Sequence, residues 1–280
     1  MSDTRCSRVV ILKGGLGNQL FQVAVALWMR DQYQFEVHLR RPEWRLRSPT
    51  HARRAEVDAR AFNLSWETRS PLKSFLDGTV RDGRRIVLED GWALPRAERA
   101  VKHLEIEGYF QNIELLSVIR EKMLPILARD VSERENEPFV GVHLRMNDYL
   151  IHATRSVHGV TDPAWALKRA CELAHDLSIK RIVIFTDSPA IVLKYLQRTS
   201  GRDYVMDDSE NPWALMMRMS RARGFVMGNS SLSWWSALLC GMREDSRVLF
   251  PTPWLSRLGR MDSALLVPGW CPVQRVILAD

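Results

Sequence analysis

Short apolar runs alternate along this chain with longer segments in which apolar residues recur at helical spacing. The first run, Val9–Leu12, leads into a glycine turn at 14–17, and apolar positions with helical spacing continue from Leu20 to Trp28. This order predicts a strand, a tight turn and a helix. Such a turn lets the backbone approach a ligand closely and points the first helical amides at an anion.

In the next part of the chain, about 40–100, the apolar residues recur with no clear spacing. The pattern returns at Leu104–Phe110, which we predict to be a strand. A helix is predicted from Asn112 to about Leu124, where Pro125 should stop or kink it.

The C-terminal half is regular. The charged segment Asp130–Pro138 is a reasonable linker, and capping residues beside prolines predict helix starts at Asp162-Pro163, Asp187-Ser188-Pro189 and Asn211-Pro212. The predicted strands between these helices are Phe139–Leu144, Arg181–Phe185, Phe225–Met227 and Arg247–Phe250. Alternating strands and helices favour a parallel, doubly wound sheet, in which ligands bind at the carboxyl ends of the strands.

The composition narrows the class of protein. A chain of 280 residues can form one large domain or two moderate ones. The net charge of +7 is modest; it favours an anionic ligand without indicating nucleic acid, and the arginine-rich 40–60 region is equally a solvated face. The four cysteines lie far apart, which excludes a disulfide framework and a zinc spacing and favours a reducing, cytoplasmic compartment. We expect no signal peptide and no membrane span.

The glycine turn alone does not identify a ligand. It lacks the third glycine of the dinucleotide fingerprint, where Leu20 stands, and the Gly-Lys-Ser/Thr ending of a P-loop. A phosphorylated ligand and a tight turn without any ligand explain it about equally.

Three strand ends carry polar side chains. After the first C-terminal strand, His143 and Arg145 share one side, and Arg145 can clamp phosphate oxygens with its planar fork. Asp148 can orient that arginine or act as an acid/base group; a structural ion pair is the alternative. Asp187, after the next strand, can accept from a guanine ring or cap its own helix. The third end, Asn229–Ser233, offers hydroxyl and amide donors to an anion, or serine caps.

Five motifs in order give a family resemblance: Gly14–Gln22, Gly108–Gln111, His143–Asp148, Phe185–Asp187 and Asn229–Trp235. Together they resemble glycosyltransferase family 11, the α-1,2-fucosyltransferases, and the length is similar to the compact bacterial members. The resemblance implies a GT-B-like α/β fold with two Rossmann-type parallel-sheet domains facing a cleft. We place an acceptor-side domain at 1–132 and a GDP-fucose-binding domain at 133–280, with the last helix able to pack back on the first domain.

The implied reaction is inverting transfer of L-fucose from GDP-β-L-fucose to the 2-hydroxyl of a terminal galactose. No metal and no other cofactor are implied, and no convincing Asp-x-Asp metal motif occurs; Asp207-Asp208 is more typical of a solvated loop. The implied partners are GDP-fucose and a galactose-terminated or lipid-linked glycan in bacterial polysaccharide or O-antigen synthesis. We expect no nucleic-acid partner and at most peripheral membrane contact.

The resemblance also implies residue roles. Arg145, Asp148 and Asn18 are the catalytic candidates, with Asp148 as first choice for a general base, although a dissociative transition state needs little base assistance. The donor-binding candidates are Gly15, Gly17, Asn18, His143, Arg145, Asp187, Asn229, Ser230, Ser231 and Ser233.

Two departures from the family pattern concern details of nucleotide contact. The family often has a second arginine in its His-x-Arg-Arg-x-Asp motif, where this chain has Met146, and an Asp and a Trp after the Thr-Asp motif, where it has Ser188 to Ile191. A GDP-sugar transferase with another acceptor or linkage is the main alternative. In that case the basic, irregular region at 40–92 hints at an anionic acceptor. A non-enzymatic polyanion-binding module is the remote alternative, since it would leave the five motifs unexplained.

Overall fold

The computed structural model describes residues 6–41, 56–67, 83–88, 101, 103–131, 137–196, 202–209, 211–256 and 260–278. The chain separates into two compact units, Met1–Ile126 and Leu127–Asp280. Most of the basic 40–60 region, and much of the irregular region up to residue 92, lie outside the described residues.

The first unit contains a parallel sheet with the strand order β3-β2-β1-β5-β4. Its strands are β1 Ser7–Ile11, β2 Glu36–Arg40, β3 Ser65–Trp66, β4 Gly83–Leu88 and β5 His103–Gly108. The helix α1, Leu16–Tyr33, packs its apolar side on this sheet, and a short 3-10 helix covers Ala59–Phe62. Because the chain order reverses beside β1, the topological switch point lies between β1 and β5.

The helix predicted at 112–124 begins as expected but does not end at Pro125. Asn112 caps it by accepting from the Glu114 amide, and the backbone stays helical to Val131. A wide π-helical turn, Ile119–Met123, ends two residues before the proline. Proline has no N–H group to donate, and its ring crowds the preceding helical turn. The wider hydrogen-bond spacing of the π-turn accommodates both effects, so the helix continues.

The second unit contains a six-stranded parallel sheet with the order β11-β10-β9-β6-β7-β8. Its strands are β6 Phe139–Leu144, β7 Arg181–Thr186, β8 Asp203–Met206, β9 Gly224–Val226, β10 Arg247–Thr252 and β11 Cys271–Gln274. Counted from β6, this is the 3-2-1-4-5-6 order of a Rossmann-type fold, with its switch point between β6 and β9. The predicted C-terminal strands are therefore present, with ends that differ by one or two residues.

The described helices of this unit are α2 His152–His158, α3 Pro163–Asp176, α4 Pro189–Leu196, α5 Pro212–Met219, α6 Ser231–Cys240 and α7 Arg260–Leu265. Helices α3, α4 and α5 start where the sequence predicts, whereas no start was predicted for α2 and α7. Asp162 caps α3 through the Ala164 amide, and Asn211 caps α5 through the Trp213 amide. Helix α3 packs on β6 and β9, where buried aliphatic and aromatic side chains form a continuous core.

The last helix, α7, contacts this second unit. The indole of Trp234, which is fully buried in α6, donates to the Leu265 carbonyl at 2.8 Å. The chain then continues into β11 on the outer edge of the sheet. Within the described residues, no helix is both long and apolar enough to cross a membrane.

A capping variant tests the start of α3. We expect Asp162→Ala to lower the free energy of unfolding by about 1 kcal/mol, because the Ala164 amide loses its acceptor. Urea unfolding measures this change. Asp176→Ala, at the opposite end of the same helix, is the control: it removes an anion from the negative end of the helix dipole and should be neutral or slightly stabilising. Equal losses in both variants would contradict the capping role.

Candidate functional site

The loop after β6 carries a bidentate ion pair between Arg145 and Asp148. Nε of Arg145 donates to Oδ1 at 3.0 Å and Nη2 donates to Oδ2 at 2.9 Å. Both side chains remain partly exposed. The Nη1 group of Arg145 has no acceptor within the described part of the chain, so one side of the guanidinium is available to an anion.

The charges of this pair are mutually stabilised. Burial alone would lower the pKa of Arg145, but the hydrogen bonds to Asp148 raise it overall. Burial would likewise raise the pKa of Asp148, and the contact with Arg145 outweighs it and lowers that pKa. A carboxylate held in this way is a weak proton acceptor, so the geometry favours Asp148 as the partner that orients Arg145.

Asp187, at the end of β7, holds the loop that carries Arg145. Its Oδ1 accepts from the backbone amides of Met146 at 2.8 Å and Asn147 at 3.0 Å. From the sequence, this carboxylate is expected to accept from a guanine ring or to cap its own helix. In the structure it instead holds the backbone that follows the neighbouring strand, β6. Asp187 and Arg145, which follow adjacent strands, thereby belong to one site.

His143 is buried at the same strand end. Burial lowers the pKa of its imidazole to about 4, partly offset by Asp187 and reinforced by Arg145. The imidazole is therefore neutral at pH 7. It packs against Gly228, where a Cβ would lie 2.8 Å from the His143 carbonyl oxygen, so the loop after β9 needs glycine at this point.

The serines after β9 differ in their availability. The hydroxyl of Ser230 caps α6 through the Ser233 amide, and the hydroxyl of Ser233 accepts from the Gly228 amide. Both side chains are buried, whereas Ser231 is half-buried in the first turn of α6. The backbone amides of Ser231 and Leu232 have no acceptor among the described residues, which leaves two first-turn donors at the switch point.

Tyr149 and His158 were not predicted as site residues, although Tyr149 directly follows the Arg145–Asp148 motif. The two rings stack with centroids 4.7 Å apart, and the Arg145 guanidinium carbon lies 5.7 Å from the Tyr149 ring centroid. The Tyr149 hydroxyl donates to the Asn229 carbonyl at 3.0 Å. The Asn229 carboxamide in turn donates to the carbonyls of His158 and Trp254, so its nitrogen is occupied within the protein.

In the first unit, the glycine turn lies at the switch point between β1 and β5. Gly14 has φ of +74°, and a Cβ there would lie 2.5 Å from the Asn18 Nδ2 atom. Gly15 precedes α1 and has open space where a side chain would be, whereas Gly17 is buried. Asn18, half-buried in the first turn, accepts from the Gln111 carboxamide at 2.8 Å, which joins two of the sequence motifs.

Two glutamines of the same motif are fully buried and hold the turn. Gln22 donates to the Gly108 and Lys13 carbonyls and accepts from the Lys13 amide. Gln19 donates to the Gly14 carbonyl and accepts from the Val57 amide. These two structural roles are not predicted from the sequence, although both residues belong to the Gly14–Gln22 motif.

The motif arrangement agrees with the family to which the chain is similar. The family model described as glycosyl transferase family 11 matches residues 103–271, which is more than half of the chain. The chain belongs to glycosyltransferase family 11. The predicted family is therefore confirmed.

Two curated proteins of Escherichia coli are similar over most of their lengths. The O-antigen biosynthesis glycosyltransferase WbnK is 24% identical over 92% of this chain and 98% of its own length. An alpha-1,2-colitosyltransferase is 24% identical over 89% of this chain and 92% of its own length. Both relatives are glycosyltransferases, in agreement with family 11.

Solved structures of POFUT1 share the fold. The form in complex with GDP-fucose has a TM-score of 0.53 and 13% identity, and covers 89% of this chain and 98% of that chain. The high-resolution complex with GDP has a TM-score of 0.51 and 14% identity over the same shares. Together with the two parallel-sheet units, this likeness confirms the GT-B-like fold class predicted for this family 11 chain.

Asp207 does not form the solvated loop that the sequence suggested. Its buried side chain forms an ion pair with Arg218 at 3.0 Å and accepts from the Ser209 amide at 2.9 Å. Among the described residues, no three His, Cys, Asp or Glu side chains come together as a metal site. Metal independence of the reaction stays a prediction.

The buried imidazole predicts a pH-dependent stability. As pH falls from about 6.5 to 4, unfolded His143 takes up a proton that the folded form refuses, so stability falls over this window and levels off below it. The difference between the ordinary pKa of 6.5 and about 4 corresponds to about 3 kcal/mol. Urea unfolding across this window measures the loss, which should shrink in His143→Gln.

The exposed His175→Gln variant is the control and should keep the wild-type pH profile. A smaller slope should remain in His143→Gln, because burial also lowers the pKa of His158. An unchanged profile in His143→Gln would contradict the neutral, buried imidazole.

A second comparison separates the motif residues that hold the turn from those that face outward. Gln22→Leu should destabilise the chain by about 2–4 kcal/mol, because it leaves the buried Gly108 carbonyl and the partly buried Lys13 amide unpaired. Asn18→Ala should cost less than about 1 kcal/mol, since half-buried Asn18 has one side-chain partner, Gln111, among the described residues. Thermal unfolding of both variants measures the difference, and an equal loss would refute the assignment.

Proposed function

We propose that this chain transfers L-fucose from GDP-β-L-fucose to the 2-hydroxyl of a terminal galactose, with inversion and without a metal. The main support is the guanidinium of Arg145, oriented by Asp148 and open on its Nη1 side at the Rossmann switch point. Membership of family 11 supports the reaction class, and the names of the two relatives support a role in glycan assembly.

The chemistry explains why such an arginine is useful. Cleavage of the bond between the fucose anomeric carbon and the phosphate oxygen builds negative charge on GDP and positive charge on the sugar ring. The galactose 2-hydroxyl attacks from the opposite face, and its proton passes to solvent water as the new bond forms. Arg145 and the first-turn amides of Ser231 and Leu232 are donors suited to stabilise the departing diphosphate.

The remaining candidates have supporting roles in this proposal. Asp148 orients Arg145, and Asp187 fixes the loop that carries it. His143, neutral and buried, is suited to contact the guanosine through polarity and shape without adding charge. In the first unit, the contact of Gly15, Gly17 and Asn18 with the donor stays a prediction.

A second candidate is transfer of a colitosyl group. This candidate is favoured by the similarity of the alpha-1,2-colitosyltransferase, which aligns with 89% of this chain. The two donors can be distinguished by competition: each nucleotide sugar is offered at equal concentration, and the product is identified by mass.

The proposal is tested by turnover of GDP-fucose with lactose or N-acetyllactosamine, in EDTA, for the wild type and Arg145→Ala. Loss of one oriented cation at the leaving group should reduce kcat by about a hundredfold or more, corresponding to roughly 3–4 kcal/mol. Nuclear magnetic resonance of the product identifies the linkage. A product in EDTA with an α-1,2 linkage supports both the linkage and metal independence.

The matched control is Arg169→Ala. Arg169 and Glu172 form the same i,i+3 type of ion pair, with similar exposure, on helix α3. This variant should keep wild-type turnover. If Arg145→Ala also keeps it, or if GDP-fucose is never consumed with either acceptor, the proposal fails in its present form.

A further inference from the structure

A buried arginine near the end of the chain forms a network of hydrogen bonds behind the candidate site. Arg275 directly follows β11, and its side chain is only 4% exposed. Its donors reach five acceptors: Nε to Pro253 O at 2.6 Å, Nη1 to Thr161 Oγ1 at 3.1 Å and Gly159 O at 3.4 Å, and Nη2 to Trp254 O at 3.2 Å and His158 O.

This arrangement requires a guanidinium. Arginine carries five N–H donors in a planar fork, and here each has an acceptor, whereas a lysine ammonium offers three. No carboxylate pairs with Arg275 within the described part of the chain. Burial lowers the pKa of Arg275 to about 10, so the side chain is still a cation at neutral pH.

The network reaches the proposed diphosphate contact in three steps. The carbonyls of His158 and Trp254 accept from Asn229 as well as from Arg275. The Asn229 carbonyl accepts from the Tyr149 hydroxyl. The Tyr149 ring stacks on His158 and lies 5.7 Å from the Arg145 guanidinium carbon.

The backbone around Arg275 is anchored independently of its side chain. The Arg275 amide donates to Thr252 O, the Asp162 amide donates to Val276 O, and the Leu278 amide donates to Val160 O. A conservative change of the side chain therefore leaves the C-terminal segment attached to the sheet.

We propose that Arg275 is a positioning residue for the diphosphate contact made by Arg145, acting through the His158 and Trp254 carbonyls and the Asn229–Tyr149 hydrogen bond. The inference rests on the proposed function, since it assigns Arg145 to the diphosphate. It predicts energetic coupling between two arginines that do not touch, which a double-mutant cycle measures.

The experiment uses calorimetric binding of GDP to the wild type, Arg275→Lys, Arg145→Lys and the double variant. Arg275→Lys should weaken GDP binding about tenfold, and adding it to Arg145→Lys should weaken binding by less than about threefold more. Arg243→Lys is the matched control, because Arg243 also donates to backbone carbonyls, those of Ser220 and Ala222. These carbonyls are not part of the hydrogen-bond network that connects Arg275 with Tyr149. It should leave GDP binding unchanged even if its melting temperature falls.

The possible outcomes separate the inference from the proposed function. No GDP binding by the wild type overturns the proposed function. Wild-type binding with an unaffected Arg275→Lys, or with fully additive losses, overturns the inference. If Arg275→Lys does not fold, Thr161→Val removes one acceptor of the guanidinium; it should weaken GDP binding about twofold to threefold and lose that effect in the Arg145→Lys background.

Discussion

The constraint on which the candidate sites depend is the reversal of winding in each parallel sheet. At that point the connections after two neighbouring strands leave in opposite directions, so a crevice opens at their carboxyl ends. In the first sheet it opens between β1 and β5, and in the second between β6 and β9. The glycine turn, Arg145 and the start of α6 are all placed at these reversals.

A crevice of this kind needs loops that hold their shape without being covered. The protein meets this need with side chains that bind backbone atoms of a neighbouring loop. Gln22 does so between β1 and β5, and Asp187 does so at the end of β6, whereas Ser233 binds the Gly228 amide in the loop that leads into its own helix. Such contacts replace the sheet hydrogen bonds that end with the strands, so the exposed donors stay oriented.

Much of this could be predicted from the sequence, because the deciding signals are local. Apolar runs set the strands, and Asp162 and Asn211 marked helix starts that the structure confirms. The roles that were missed depend on long-range partners: Gln22 meets Gly108, and Arg275 meets the loop at 158–161. The continuation of the helix past Pro125 was also missed, since a π-turn leaves no compositional mark.

The burial of Met146 limits which side chains the Arg145 loop can carry at position 146. Asp187 holds this loop through backbone amides, so the hold does not depend on which side chain stands at position 146. That side chain is only 1% exposed and is part of the apolar core. A second arginine, common in the family at this position, would have to bury its charge here or move the loop. Position 146 therefore suits an apolar side chain, and a second arginine at this strand end would require the surrounding core residues to change as well.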